Sequence, residues 1–62
     1  DFDREFRGYN RKEVDQFLSE INQNLHSPKE IYSQVFDMQF RGYNKEQVDG
    51  YLDNLIQDLQ GR

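Results

Sequence analysis

One pentapeptide occurs twice in this chain, and that repetition is the strongest constraint on its fold. The sequence FRGYN at 6–10 returns at 40–44, after an offset of 34 residues. Alignment of 1–25 with 35–59 at the same offset gives 12 identical positions out of 25. Identity over so long a stretch does not arise by chance, so the chain is expected to contain two copies of one local structure.

Three helices are predicted from capping residues and apolar spacing. Asn10 and Asn44 are suitable N-caps, because each is followed three residues later by a Glu or Gln that can complete a capping box. Apolar residues at helical spacing then predict helices over about 11–25 and 45–60. A Ser-Pro pair predicts a short helix over about 28–37. The residues of this short helix that are expected to face inward are Ile31, Val35 and Phe36.

Each loop before a long helix holds a glycine and several aromatic residues. Gly8 and Gly42 lie between the loop and the helix cap, where a positive φ or a close approach of two backbones would require glycine. The aromatic residues are large apolar bodies that can dock onto the helices, and packing in the core is expected for most of them. They are Phe2, Phe6, Tyr9, Phe36, Phe40 and Tyr43.

The expected fold class is all-α, a small helical domain of about three helices built from two loop-helix repeats. A chain of 62 residues buries a modest share of its surface and is marginally stable alone. The apolar stripes of the two long helices therefore need cover, either from each other as a pseudo-symmetric unit within one chain or in a homodimer. A sustained coiled coil needs more heptads than this length offers.

Composition argues against several functions. The chain has no cysteine, which excludes disulfides and thiolate metal sites, and its single histidine has no second imidazole beside it. A net charge of −4 opposes binding to nucleic acid. No nucleophile stands beside a base, so no catalytic residue, metal or cofactor is predicted, and the chain is not expected to be an enzyme.

The second half of the chain contains a series of short motifs at fixed spacing. They are Ser27-Pro28-Lys29-Glu30-Ile31-Tyr32, Phe36, Phe40-Arg41-Gly42-Tyr43, Val48-Asp49 and Leu52-Asp53. With these motifs the second half resembles the N-terminal domain of DivIVA and its relative GpsB. Residues 27–62 would form one complete copy with a short helix, an FRGY loop and a long helix, and residues 1–26 a copy that lacks the short helix.

This resemblance implies a scaffold or adaptor of Gram-positive-type bacteria, which binds cell-division or peptidoglycan-synthesis proteins at the septum or the cell poles. Such a protein is cytoplasmic and peripheral to the cell membrane. Family members dimerise through this domain and continue into a parallel coiled coil, but His26-Ser27-Pro28 ends the first long helix here. Pairing of the two copies, within one chain or between two, would reproduce the family's dimer.

A membrane contact is the first site that the resemblance implies. In DivIVA a Phe-Arg pair at the loop tip touches the membrane, because Phe can enter the lipid interface while Arg meets lipid phosphate. The matching residues are Phe6, Arg7, Phe40 and Arg41. The alternative is structural, with both Phe residues in the core and both arginines bridged to acids such as Asp3 and Asp37.

A peptide groove is the second site that the resemblance implies. In GpsB a Tyr and two helix acids four residues apart hold an Arg-bearing peptide of cell-wall synthases, since two carboxylates can share one guanidinium. The matching residues are Tyr43, Asp49 and Asp53 in the second copy, and Tyr9 and Asp15 in the first, which has Ser19 in place of the second acid. The alternative is that Asp15 and Asp49 bind Arg or backbone amides within the fold.

Two further functions fit the same residues. The chain could be a pure oligomerisation domain whose FRGY loops serve as internal staples. It could also be a regulatory domain attached to a cell-envelope enzyme whose catalytic part lies elsewhere.

Overall fold

The structure is a computed structural model, and it describes residues 2–61. Its elements in chain order are β1 (Arg4–Tyr9), α1 (Arg11–Asn22), α2 (Pro28–Ser33), β2 (Met38–Phe40) and α3 (Lys45–Gln60). All three predicted helices are therefore confirmed, although α1 and α2 end earlier than expected.

The expectation of an all-α fold is wrong, because the two FRGY loops contribute β-strands. β1 and β2 form a two-stranded antiparallel sheet in which Arg7 pairs with Phe40 and Tyr9 pairs with Met38. The fold is thus mixed α/β. Each strand finds its hydrogen-bonding partner in the other repeat, so neither strand carries the local turn signal by which a hairpin is read from sequence.

The helix starts show the predicted capping chemistry. The side chain of Asn10 accepts a hydrogen bond from the backbone N–H of Glu13 at 3.0 Å. The side chain of Asn44 accepts the equivalent bond from Gln47, also at 3.0 Å. At α2 the capping box is complete in both directions, and its proline occupies the first turn. These local bonds fix where each helix begins.

The residue three positions after each asparagine cap contacts the other repeat instead of closing a capping box. Glu13 Oε1 accepts a hydrogen bond from the backbone N–H of Asp37 at 3.0 Å. The equivalent Gln47 Oε1 accepts one from the backbone N–H of Asp3 at 2.7 Å. The side chains that the sequence assigned to local capping therefore hold the two repeats together.

The residues that follow α1 and α2 are not helical, so both helices are shorter than predicted. The set of buried side chains therefore differs from the prediction. Asn24, after α1, has a φ of 61°, a left-handed conformation that asparagine tolerates. Gln34, after α2, is extended with φ −67° and ψ 135°. Ile31 and Phe36 are buried as predicted, but Val35 leaves the helical phase and is 81% exposed. Its predicted inward position is therefore wrong.

Backbone bonds between the repeats occur in equivalent pairs. The N–H of Asn10 donates to the carbonyl of Asp37 at 2.8 Å, and the N–H of Asn44 donates to that of Asp3 at 2.7 Å. Each bond maps onto the other when 34 is added to, or subtracted from, the residue numbers. The two repeats are thus related by an approximate two-fold axis within one chain.

Two glycines bring the repeats into backbone contact near this axis. A Cβ added to Gly8 would collide with the carbonyl oxygen of Tyr43, and one added to Gly42 would collide with that of Tyr9. Neither glycine has a positive φ. Of the two predicted reasons for glycine, close approach is therefore the one that applies.

Buried apolar residues from all three helices, together with one from the loop before β2, form one core. They are Val14, Phe17, Ile21, Ile31, Phe36, Val48, Leu52 and Ile56. The equivalent valines 14 and 48 are fully buried, so both repeats contribute alike to the centre. Because one core serves both repeats, neither repeat has a separate interior.

Aromatic residues cross between the repeats around this core. The ring of Phe36 lies 5.3 Å from that of Tyr9 and 5.6 Å from that of Phe17. The equivalent Phe2 lies 5.3 Å from Tyr43 and 5.7 Å from Tyr51. Each repeat thus places one phenylalanine on the long helix of the other, at the separations that favour aromatic pairs.

The substitution Gly42→Ala tests the close approach, and Gly50→Ala is its matched control. At position 42 the methyl group collides with backbone of the other repeat, so we expect the free energy of unfolding to fall by about 1–3 kcal/mol. At position 50, in the middle of α3, an added Cβ meets nothing within 4 Å. Alanine there should raise the free energy of unfolding by about 0.5–1 kcal/mol. Urea denaturation followed by circular dichroism measures both, and unchanged stability of Gly42→Ala would contradict the prediction.

Candidate functional site

The two predicted Phe-Arg pairs meet at one exposed end of the sheet. The rings of Phe6 and Phe40 contact each other edge-on, with centroids 5.2 Å apart. Both rings are nevertheless largely in solvent, with Phe6 74% and Phe40 60% exposed. We call this surface the aromatic-basic tip, and it consists of Phe6, Arg7, Phe40 and Arg41. Neither phenylalanine belongs to the core.

The arginines of the aromatic-basic tip are exposed as well. Arg41 lies in the turn after β2 with a φ of 58°, and its guanidinium carbon is 5.5 Å from the centroid of the Phe40 ring. Ion pairs that would tie Arg7 to Asp3, or Arg41 to Asp37, do not occur among residues 2–61. The tip therefore combines apolar and positive surface.

An acid beside the tip, Glu5 in β1, is paired with a lysine of α3. Glu5 Oε1 accepts hydrogen bonds from the backbone N–H and from Nζ of Lys45, both at 3.0 Å. These two bonds, the backbone bond first, hold the pKa of Glu5 below its ordinary value. Lys45 Nζ also donates to the carbonyl of Arg7 at 2.7 Å. The lysine thereby joins α3 to β1 and offsets the negative charge next to the tip.

The tyrosines of the predicted peptide groove bond to aspartates of the opposite repeat. Tyr9 Oη donates to Asp49 Oδ1 at 2.9 Å, and Tyr43 Oη donates to Asp15 Oδ1 at the same distance. Burial raises the pKa of both tyrosine hydroxyls, and the bond to a carboxylate raises it further. Tyr43 is thus bonded to Asp15 and not to Asp49 of its own copy.

Asp49 and Asp53 line one depression between α2 and α3, which we call the acidic groove. Its volume is about 270 Å³. The apolar residues that line it are Ile31, Leu52 and Ile56. Tyr32 lines it too and is 79% exposed. Sequence reasoning assigned no site role to Tyr32, although its place on α2 next to the buried Ile31 could have indicated one.

The five predicted groove residues fall into two separate groups. Tyr9, Asp49 and Asp53 lie on the side of α3 that faces α2, whereas Tyr43 and Asp15 lie together on the side of α1. Because a two-fold axis relates the two copies, the tyrosine of each copy bonds to the aspartate of the other copy. Within residues 2–61 no three His, Asp or Glu side chains come together so as to hold a metal ion.

An exposed tip and an open, carboxylate-lined groove are features of a binding module. The family model described as DivIVA protein matches residues 26–61, which is more than half of the chain. The chain therefore belongs to the DivIVA family. No curated protein and no solved structure was found to match it.

Membership of this family indicates a general class of function. DivIVA proteins are non-enzymatic scaffolds generally associated with the septum or the poles, so membership is consistent with a scaffold role in cell division or at the poles. Among residues 2–61 no helix has the length and apolar character that crossing a bilayer requires. The matched segment includes the acidic groove and the half of the tip formed by Phe40 and Arg41.

Alkaline pH is expected to destabilise the fold through Tyr9 and Tyr43. Their pKa values are raised in the folded chain, so the unfolded chain loses these protons first as the pH rises. Their contribution is complete below the ordinary tyrosine pKa of about 10 and is lost as the pH passes through the raised folded values. Urea unfolding at neutral pH and at about pH 11 measures the loss.

The double variant Tyr9→Phe, Tyr43→Phe is the control for this measurement. It retains both rings and lacks both hydroxyls, so its stability should fall less between the two pH values. An equal fall in the variant and the unsubstituted chain would show that other groups cause the pH dependence.

Proposed function

We propose that this chain is a cell-division or polar scaffold module in which two DivIVA-type copies, 1–26 and 27–62, pair in cis. The family match covers the second copy. The first copy is supported by its 12 identities over 25 positions and by the equivalent hydrogen bonds that relate it to the second. The proposed place of action is the inner face of the cell membrane, at the septum or poles of a Gram-positive-type bacterium.

The proposed membrane contact rests on the exposure of the two phenylalanines at the aromatic-basic tip. Phe6 and Phe40 leave most of their ring surface in water. Complete removal of such a side chain from water gains about 1.5–3 kcal/mol. Partial entry into the lipid interface gains a share of this for each ring, which favours contact with an apolar phase.

Charge near the tip favours anionic lipid over neutral lipid. Arg4 is exposed in β1 and, with Phe6, Phe40 and Arg41, lines one side of the tip. Each arginine close to an anionic bilayer surface gains about 1 kcal/mol, and the effect fades within a Debye length. Local positive charge therefore acts at the tip even though the chain as a whole carries −4.

Pairing in cis strengthens this membrane contact. A single peripheral anchor binds membrane weakly and reversibly, and stable attachment needs two. Here one chain holds both rings at 5.2 Å, so they enter the same patch of lipid together. No second chain has to be recruited before both anchors act.

Phe40→Ala is expected to weaken binding to vesicles of phosphatidylglycerol and phosphatidylcholine by about tenfold, because one of the two inserted rings is lost. Phe6→Ala should have a similar effect. Co-sedimentation over a series of lipid concentrations measures the affinity. Vesicles of phosphatidylcholine alone should bind less, because they do not attract the arginines.

Val35→Ala is the matched control, since Val35 is 81% exposed but does not belong to the aromatic-basic tip. Its vesicle binding should equal that of the unsubstituted chain. Equal pelleting of Phe40→Ala and the unsubstituted chain would contradict membrane contact through the tip. With no peptide binding either, that result would favour a pure oligomerisation domain.

A second proposed activity is recognition of Arg-bearing segments of cell-division or peptidoglycan-synthesis proteins at the acidic groove. The supporting observation is that Asp49 and Asp53 line one depression, with Tyr32 at the same place. The hydroxyl of Tyr9 donates a hydrogen bond to one oxygen of Asp49 and so orients that carboxylate. Two carboxylates beside an aromatic ring suit a guanidinium, which can bond to the acids and stack on the ring.

Asp53→Asn is expected to weaken binding of a short arginine-bearing peptide by about tenfold, because a charge-assisted hydrogen bond is lost. Glu46→Gln removes the same charge from the first turn of α3, outside the groove, and should leave the affinity nearly unchanged. Isothermal titration with the peptide and with its lysine analogue measures these effects. Equal affinities of Asp53→Asn and Glu46→Gln would remove the groove from the proposal.

A further inference from the structure

The acidic groove continues into a second depression between α2 and the C-terminal half of α3, which we call the lysine depression. Its volume is about 550 Å³, against about 270 Å³ for the acidic groove. Tyr32, Asp53 and Ile56 line both depressions. The two are therefore parts of one trough between the helices. The lysine depression is named after Lys29, which lines it and does not line the acidic groove.

The two ends of this trough carry opposite charges. Asp49 lines only the acidic groove, whereas Lys29 lines only the lysine depression, and both residues are exposed. Among residues 2–61 no salt bridge joins Lys29 to an acid, although Asp53 lines the same depression. The ammonium group of Lys29 is thus free to meet the carboxylate of a ligand.

Helix geometry gives the separation of the two charged ends. Asp49, Asp53 and Gln57 follow one another at intervals of four residues, so they lie along one side of α3 with a rise of about 6 Å between neighbours. Gln57 lines the lysine depression together with Lys29. A guanidinium shared by Asp49 and Asp53 would therefore lie about 9 Å, measured along α3, from the level of Lys29.

We propose that the trough binds a partner segment in which an acidic residue stands three or four positions from the arginine. This inference rests on the proposed binding of arginine at the acidic groove and adds a second contact to it. The arginine meets Asp49 and Asp53, and the carboxylate meets Lys29. Residues three or four apart lie about one helical turn from each other, and their long side chains make up the remaining distance.

This charge pattern distinguishes between arginine-bearing segments. A second cation in place of the acid would bring two like charges together at Lys29, which disfavours such a segment. Tyr32 and Ile56 provide apolar surface between the charged ends, because they line both depressions. The segment is therefore bound with its arginine at one end of the trough and its acid at the other.

Short peptides that differ at one position test the proposal by isothermal titration into the complete chain at low ionic strength. Each has one arginine in an alanine background, with Glu, Gln or Lys three positions after it, and a second set has the variable residue three positions before it. In at least one set, we expect the affinity to fall by about two- to fivefold from the Glu to the Gln peptide, as for an exposed ion pair, and again to the Lys peptide. In about 0.5 M salt the differences should largely disappear.

Charge reversal at Lys29 is the complementary test. Lys29→Glu should invert the order of affinities, so that the Lys peptide binds most tightly, and Lys29→Gln should remove most of the difference between the peptides. Lys12→Glu is the matched control, because Lys12 is an exposed lysine of α1 outside both depressions and its reversal changes the net charge equally. It should preserve the original order. Lys29 takes no part in the core, and dispersed amide spectra check that each variant is folded.

Equal affinities of the Glu, Gln and Lys peptides in both sets would overturn the proposal, and so would an unchanged order in Lys29→Glu. Asp53→Asn separates these results from a failure of the acidic groove itself. If the peptides bind alike and Asp53→Asn weakens all of them, the arginine site stands and the contact with Lys29 is absent. If no peptide binds the unsubstituted chain, the proposed recognition of arginine fails, and the contact with Lys29 fails with it.

Discussion

The backbone contact between Gly8 and Gly42 is the constraint on which the remaining structure depends. Any Cβ at either position would collide with a carbonyl oxygen of the other repeat. β1 and β2 pair next to this contact, and the pairing sets Phe6 edge-on to Phe40 at the exposed end. The same approach brings each tyrosine within reach of an aspartate on the opposite long helix. Sheet, tip and cross-repeat bonds are therefore consequences of one close contact.

The sequence alone predicted the structural features that depend on residues close together along the chain. Asn10, Asn44 and the Ser-Pro pair before α2 act within one turn, and the structure confirms all three helix starts. The strands were missed because their hydrogen bonds join positions in different repeats, and an FRGY loop alone contains no turn or alternation that marks a strand. Val35 was misplaced because α2 stops before the apolar spacing does. The grouping of the predicted groove residues could not be read from the sequence, since the two-fold axis exchanges the aspartate partners of the two tyrosines.

The duplicated framework supports two different surfaces because the copies diverge at a few positions. Asp53 and Ile56 give α3 an acidic and apolar face that α2 covers in part, whereas Ser19 and Asn22 make the same face of α1 less charged and less apolar. The tip lies near the axis and takes one Phe-Arg pair from each copy. The two long helices therefore present chemically different faces on either side of the aromatic-basic tip. Repetition of the fold thus coexists with specialisation of its faces.

The most direct test of pairing in cis is the nuclear Overhauser contact between the Phe6 and Phe40 rings, recorded on protonated chain diluted into an excess of perdeuterated chain. The ring centroids are 5.2 Å apart within one chain. The structure predicts that the contact, normalised to the amount of protonated chain, keeps its intensity on dilution. Loss of the contact in proportion to dilution would show that the rings belong to different chains, and it would contradict a two-fold unit built within one molecule.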